Sequence, residues 1–238
     1  LDHERTLHLG FDLLHVATGA RPLRPDLPGI DGPDIYGVQT IDVAQVLLDA
    51  VGDRSRRTVT VVGAGYIGLE MAEAFVRRGA RVTLVDSGPQ PMGSLDPDMG
   101  AKVASAVRRF GIDLRTGTKV EGFEPGIVHT SNGDIAAELV ILGLGVAPNS
   151  AIGVDAGLAA GAAGALAVDH RQRTSRDGIF AAGDCADARH QVSGGRVHVA
   201  LGTVANKTGR VAGINLGGGY ASFPGVLGTA VTRVCEVE

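Results

Sequence analysis

The hydrophobic positions of this chain follow two rhythms that alternate along its length. Thr58-Val-Thr-Val-Val62 is a β-branched run that enters Gly63 directly and predicts a strand. From Gly65 to Arg78 the apolar residues Ile67, Met71, Ala74 and Phe75 fall at helical spacing, and Gly79 is placed to end that helix. Arg81-Val-Thr-Leu-Val85 is the next strand, closed by Asp86, which completes a βαβ unit. A second helix is expected from Asp96-Pro97, an N-cap followed by Pro at the first helical position, with Met99, Val103, Val107 and Phe110 on one face. Ile112 to Leu114 reads as the strand after it.

The flanking segments are shorter. Asp12 to Ala17 is an apolar run closed by Thr18-Gly19 and reads as a buried strand. Pro22, Pro25 and Pro28-Gly29 exclude helix from the next stretch, and Thr40 to Val51 carries Val43, Val46 and Leu47 at helical spacing. Lys119–Phe123, Ile127–Thr130 and a short third strand predict an antiparallel meander, its last turn marked by Asn132-Gly133. Leu139 to Leu142 returns as a buried strand. Beyond Asn149 the chain turns Ala/Gly-rich, with strands expected at Ala165–Val168 and Ile179–Ala182 and a helix over Leu201–Leu216. The tail from Phe223 reads as β-rich.

Composition narrows the function classes. The 238 residues are 44% hydrophobic and 20% charged, the balance of a packed globular protein. A net charge of −4 leaves no basic footprint for nucleic acid or an anionic membrane. No apolar run reaches the roughly 18–20 residues of a membrane helix; the longest, Leu139 to Val146, is broken by Gly143 and Gly145. Cys185 and Cys235 form no CxxC and no disulfide framework, so a cytoplasmic setting is expected. The seven histidines show no metal spacing, and His190 and His198 read as surface or structural. The chain starts at Leu1 and stops in an apolar stretch, so a piece of a longer protein is expected.

The chemistry-bearing motif is Gly63-Ala64-Gly65-Tyr66-Ile67-Gly68, between a strand and a helix, with Asp86 at the end of the next strand. Asp86 lies 21 residues past Gly65, close to the roughly 20 of a dinucleotide fingerprint. Gly63 permits the tight turn, Gly65 lets backbone amides approach a pyrophosphate, and Gly68 allows close helix–strand packing. The helix N-terminus supplies partial positive charge. Asp86 would accept the ribose hydroxyls and repel a 2′-phosphate, which favours NADH over NADPH. Ser87-Gly88-Pro89 offers no Arg to offset that charge. A second motif, Gly178-Ile-Phe-Ala-Ala-Gly183-Asp184, places a carboxylate at the end of a strand.

The order of these motifs resembles the flavoproteins with two dinucleotide-binding domains, the pyridine nucleotide-disulfide oxidoreductases. Ala17-Thr18-Gly19-Ala-Arg-Pro22, Gly63 to Gly68 with Glu70, Gly143-Leu-Gly145-Val-Ala-Pro148-Asn149 and Ile179 to Asp184 carry the resemblance, which covers nearly the whole chain. It implies an α/β fold of two three-layer Rossmann-like (ββα) domains of the FAD/NAD(P)-binding type, the FAD domain incomplete. The implied FAD-binding domain is residues 1–40 with 151–221, the NAD-binding domain 41–150, and residues 222–238 open a C-terminal interface domain. The resemblance implies that Thr18-Gly19 lies beside the FAD pyrophosphate and that Gly183-Asp184 meets the ribityl chain. Tyr66 and Glu70 would lie near the nicotinamide and flavin, and Gly145 would let the nicotinamide ribose approach the backbone.

Ala200-Leu201-Gly202-Thr203-Val-Ala-Asn206-Lys207 resembles the segment that starts a helix aimed at the flavin pyrimidine. Followed by Gly209-Arg210, it looks most like coenzyme A disulfide reductases and NADH oxidases or peroxidases. Ferredoxin reductases usually carry Trp in this segment, and the chain has none. The family's FAD GxGxxG and its redox cysteine are expected upstream of Leu1, so no catalytic residue is assigned here. The expectation is a homodimeric flavoprotein passing hydride from NADH to FAD and on to a small-molecule disulfide such as coenzyme A disulfide. The alternatives are oxygen or peroxide as acceptor, a ferredoxin-type reductase, or a non-catalytic nucleotide-binding module.

Overall fold

A computed structural model describes residues 7–51 and 58–236. The ends of the expected 1–40 and 222–238 segments, residues 1–6 and 237–238, lie outside the described residues. The chain forms two compact units, Leu1–Arg21 with Ala147–Thr229 and Pro22–Val146 with Ala230–Glu238.

The second unit is built on a five-stranded parallel sheet in the order Ile35–Gly37, Leu139–Leu142, Thr58–Val62, Arg81–Val85, Asp113–Arg115. Its central strands are apolar because both faces are covered. Val59, Val61, Leu84, Leu139 and Ile141 point to a helical layer and pack with Leu69, Phe75 and Val107. Their alternate neighbours Val62, Val85, Val140 and Leu142 pack on Val120, Phe123, Val128 and Ile135 of the meander. The meander strands are Val120–Glu124, Ile127–Thr130 and Ile135–Ala136. Helix, sheet and meander make the three layers of the expected α/β architecture. The period of two along each strand decides which layer a residue joins.

The helices are Ile41–Val51, Tyr66–Arg77 and Pro97–Arg109, each within a residue or two of its expected span. Asp96 stands at the N-cap of the last, without a side-chain hydrogen bond to the helix. The Asn132-Gly133 turn forms with Gly133 at φ +99°, a left-handed value that glycine adopts without strain. The Ile35–Gly37 strand joins this sheet, so the contacts place residues 22–40 with the second unit. The stretch after residue 221 divides between the units at Thr229/Ala230.

In the first unit Leu14–Val16 pairs in parallel with Ile179–Ala181, in the register Leu14↔Ile179 and Val16↔Ala181. Leu158, Leu166, Val168, Ile179 and Ala181 form its core, and the helix Gly202–Leu216 packs Val204 and Val211 against Phe223 and Val226. Two expected strands do not form. Leu166 makes only isolated bridges, to Ala160 and Ala186, and the Val168 N–H donates to the Asp187 carboxylate instead of a neighbouring strand. Among the described residues the tail from Phe223 holds no strand either. Gly225 and Gly228 take φ of +108° and +72°, which break an extended run, and Val226 makes a single bridge to His190.

Asp187 is the polar knot of this unit. Its side chain is fully buried and accepts from the Arg196 guanidinium, from Val168 N–H at 3.2 Å and from Ala162 N–H at 3.3 Å. Arg196 also donates to the Val168 carbonyl at 2.6 Å. Removing the carboxylate leaves a partly buried guanidinium and two backbone donors without their acceptor. Asp187→Ala is expected to lower unfolding free energy by about 1–3 kcal/mol, read as a lower urea midpoint at unchanged slope. An unchanged midpoint would remove the knot from the stability of this unit.

On the meander, His129 donates through Nδ1 to the Asp134 carboxylate at 2.8 Å and lies 3.4 Å from Glu124 through Nε2. The hydrogen bond to Asp134, aided by the charges of Asp134 and Glu124, raises its pKa above the ordinary value. A raised folded-state pKa stabilises the protein below the unfolded value and loses that contribution as pH rises through the folded one. His129→Gln should therefore remove a fall in thermal midpoint that the wild type shows as pH rises above about 6.5. A wild-type profile shared by the variant would count against the contact.

Candidate functional site

The fingerprint glycines do three different things. Gly63 turns the chain at φ +100°, and a Cβ there would lie 2.5 Å from the Gly143 carbonyl oxygen. At Gly68 a Cβ would fall 1.7 Å from the Gly63 carbonyl oxygen, so no side chain fits where the helix crosses the strand end. Gly65 differs from both. It has an ordinary φ of −83° and nothing within 4 Å of the position its Cβ would take. No protein contact requires glycine at residue 65. The open space lies at the N-cap of the helix Tyr66–Arg77, which has no side-chain cap, so its first-turn amides remain for an external acceptor.

Asp86 is half-buried beside this loop. Its Oδ2 accepts from the Ala64 N–H at 2.6 Å and its Oδ1 from the Gly88 N–H at 2.7 Å. A carboxylate has about four lone-pair sites, so two protein donors leave room for further ones. Tyr66 and Ile67 occupy the first helical turn, Tyr66 partly exposed. Tyr66 lines a mostly apolar cavity of about 400 Å³ with Leu69, Met92, Met99, Val103 and Val231. Glu70 is exposed and accepts from the Thr232 hydroxyl at 3.0 Å. Gly145 is exposed at φ +87°, its carbonyl accepting from the Leu23 N–H at 2.9 Å.

In the first unit, the in-register pairing of Leu14–Val16 with Ile179–Ala181 sends two turns, Thr18-Gly19 and Gly183-Asp184, out of the same carboxyl edge. Open α/β sheets bind ligands at that edge. Asn149 locks the first turn: its side chain donates to the Thr18 carbonyl at 3.0 Å and its N–H to the Gly19 carbonyl at 2.9 Å. Gly183, at φ +76°, donates its N–H to the Thr208 hydroxyl at 3.1 Å, which ties the second turn to the helix Gly202–Leu216. His198 Nε2 is 2.8 Å from the Asp184 carbonyl oxygen. Asp184 Oδ1 is buried and has no hydrogen-bond partner among the described residues. A carboxylate oxygen in that condition calls for a donor, and a ligand hydroxyl fits the need. Gly202 begins the helix without a side-chain cap and with nothing within 4 Å of a Cβ, Ala200 and Leu201 are half-buried, and Asn206 is exposed.

Neither cysteine is presented as a nucleophile. Cys185 is fully buried, its thiol 3.3 Å from the Ala182 carbonyl and 3.5 Å from that of Val16. Burial pushes the Cys235 thiol up to about 11. Among the described residues no group of His, Cys, Asp and Glu is arranged to hold a metal, and no helix is long and apolar enough to cross a membrane. The pattern reading missed Thr208, Asn149 and the steric role of Gly143. A threonine inside a helix and an asparagine after proline carry no local signal. Gly143 sits in a motif that was noticed for its resemblance and not for its packing.

Residues 2–209 match the family model for pyridine nucleotide-disulphide oxidoreductases. A CoA-dependent NAD(P)H sulfur oxidoreductase of Pyrococcus furiosus is 35% identical over 233 residues, 96% of this chain and 52% of that protein. An NADH oxidase of Methanocaldococcus jannaschii is 34% identical over 235 residues, 97% of this chain and 52% of that protein. The chain thus spans about half the length of the curated relatives it matches. An NAD-dependent persulfide reductase from A. fulgidus superposes with a TM-score of 0.91 at 35% identity, covering 95% of this chain and 43% of that one. The chain belongs to the pyridine nucleotide-disulphide oxidoreductase family.

Proposed function

We propose that this chain is the dinucleotide-binding part of a flavoprotein that takes hydride from NADH and delivers electrons to a sulfur acceptor. The second unit binds NADH. The pyrophosphate lies on the first turn of the helix Tyr66–Arg77, against Gly63, Ala64, Gly65, Tyr66, Ile67 and Gly68. Asp86 receives the adenosine ribose. Tyr66, Glu70 and Gly145 flank the nicotinamide half. The first unit holds FAD through Thr18, Gly19, Gly183, Asp184 and the start of the helix at Ala200, Leu201, Gly202 and Asn206. The observation that carries this reading is Gly65, the one fingerprint glycine for which the protein itself has no steric need. The unpartnered Asp184 Oδ1 supports the flavin half.

FAD, when bound, supplies the two-electron chemistry between nicotinamide and acceptor. The chain's own residues orient and select. The helix end at Gly65 favours the negative pyrophosphate, and Asp86 disfavours a 2′-phosphate. The acceptor is a sulfur species such as coenzyme A disulfide; the Pyrococcus relative is named a CoA-dependent sulfur oxidoreductase. Oxygen is the second reading, because an NADH oxidase is almost as similar. The working form is a cytoplasmic homodimer.

Gly65→Ala and Gly68→Ala separate ligand space from packing space. Alanine at 65 should keep the thermal midpoint and weaken NADH binding about tenfold or more, by crowding the pyrophosphate. Alanine at 68 should lower the midpoint itself. If the Gly65 variant binds NADH as wild type does, the loop does not cradle a pyrophosphate. Titration of the wild type should show NADH bound more tightly than NADPH, and equal affinities would sink the argument from Asp86.

The acceptor is tested on the polypeptide that carries this chain, reduced by NADH without oxygen and then given coenzyme A disulfide. Free thiol should appear. Flavin bleached by NADH with no thiol released, but reoxidised by oxygen, would move the reading to an oxidase.

A further inference from the structure

We propose that Asp86 is a positioning residue for the phosphate loop, a role that rests on the dinucleotide reading and goes beyond ribose recognition. The Ala64 peptide is pinned from both sides by the connection that follows the Arg81–Val85 strand. Its N–H donates to Asp86 Oδ2 at 2.6 Å, and its carbonyl accepts from the Met92 N–H at 2.8 Å. One residue earlier, the Gly63 N–H donates to the Val85 carbonyl at 2.8 Å. Asp86 is itself held at the end of its strand. Its N–H donates to the Arg115 carbonyl and its carbonyl accepts from the Thr118 N–H, both at 2.9 Å. Its second carboxylate oxygen closes the turn to Gly88 at 2.7 Å.

The clamp is under load at both contacts. Ala64 is 1% exposed, so its N–H has no water to fall back on when the carboxylate is removed. Met92 is held at φ +51°, a left-handed value unusual for a side-chain-bearing residue, and is 6% exposed. A strained residue that delivers its N–H to the Ala64 carbonyl is what over-determined positioning looks like. The Ala64 amide is thereby committed to Asp86, and phosphate binding falls to the uncapped amides of the helix's first turn.

One carboxylate therefore carries two functions, selection by charge and positioning of the loop. By charge repulsion alone, replacing Asp86 with a small neutral residue would open the ribose site to a 2′-phosphate and leave the loop as it is. By the clamp, the same replacement also releases the loop on which the dinucleotide docks. Asp86→Ala should then loosen the loop and weaken NADH binding together.

The test uses this chain as wild type, Asp86→Ala and Asp86→Asn. Amide hydrogen exchange over residues 62–69 is followed without ligand, with the meander as internal control, and NADH and NADPH are titrated. The clamp predicts exchange of the loop faster by about tenfold or more in Asp86→Ala. Asp86→Asn, which keeps one acceptor oxygen and nearly the same shape, should give a smaller acceleration and answers the question if the alanine variant fails to fold. Unchanged loop exchange in both variants would overturn the proposal. A wild type that binds no NADH would refute the dinucleotide reading instead, and the exchange data would still decide the clamp.

Discussion

The helix Tyr66–Arg77 can begin where the strand Thr58–Val62 ends only because residue 68 has no side chain. The Gly63 carbonyl oxygen stands 1.7 Å from where a Cβ on residue 68 would be, and a Cβ on Gly143 would lie 2.9 Å from the Gly68 Cα. Two strand ends and a helix start thus converge on three glycines. That convergence fixes the helix N-terminus over the carboxyl ends of the sheet, the place where open α/β sheets bind ligands. The layers follow from it. With the helix held this close, Leu69, Ala72 and Phe75 reach Val59, Val61 and Leu84, and the opposite sheet face is left for the meander to cover.

The first unit reaches a comparable edge by other means. There the strand register does the positioning. Val16 opposite Ala181 sends the turns Thr18-Gly19 and Gly183-Asp184 out together; Asn149 holds the first through its side chain and its backbone N–H, and the Thr208 hydroxyl holds the second. Its short strands are supplemented by an ion pair between buried Asp187 and partly exposed Arg196, which ties the antiparallel pair Ala188–Arg189 and Arg196–Val197 to the Ala162–Gly164 turn. A buried carboxylate is a costly anchor unless all its donors are in place, and this one has side-chain and backbone donors on both oxygens.

What the sequence discloses, and what it hides, divides along the range of the interaction. The βαβ unit was legible because a β-branched run, a 3.6-residue apolar period and three glycines are all local signals, and the structure places those elements within a residue or two. The meander was legible from alternation and from Asn132-Gly133. The expected strand at Ala165–Val168 does not form: its backbone bonds to scattered partners, Leu166 N–H to Cys185, Ala167 N–H to Ala159 and Val168 N–H to the Asp187 carboxylate 19 residues away. Nothing in an Ala-Leu-Ala-Val run announces that. The polar groups that hold the candidate site, Asn149 on Thr18 and Thr208 on Gly183, act across 131 and 25 residues. Asp86 was placed correctly at the end of its strand, but its grip on Ala64 across 22 residues was not visible.

A glycine fingerprint is three statements of unequal weight. Gly63 and Gly68 are required by the protein's own backbone, and any strand-to-helix turn this tight would need them, whether or not anything bound there. They therefore say little about a ligand. Gly65 has an ordinary φ and open space where its side chain would be, so alanine would fit the fold without strain. The chain's own packing gives no reason for its being glycine. The same logic separates the acidic residues: Asp187 has a protein donor for each oxygen, whereas Asp184 holds one buried oxygen that no described protein group reaches. In each unit one residue is left incomplete by the described protein groups, Gly65 by its open space and Asp184 by its unpartnered Oδ1, and the proposed ligands rest on those two.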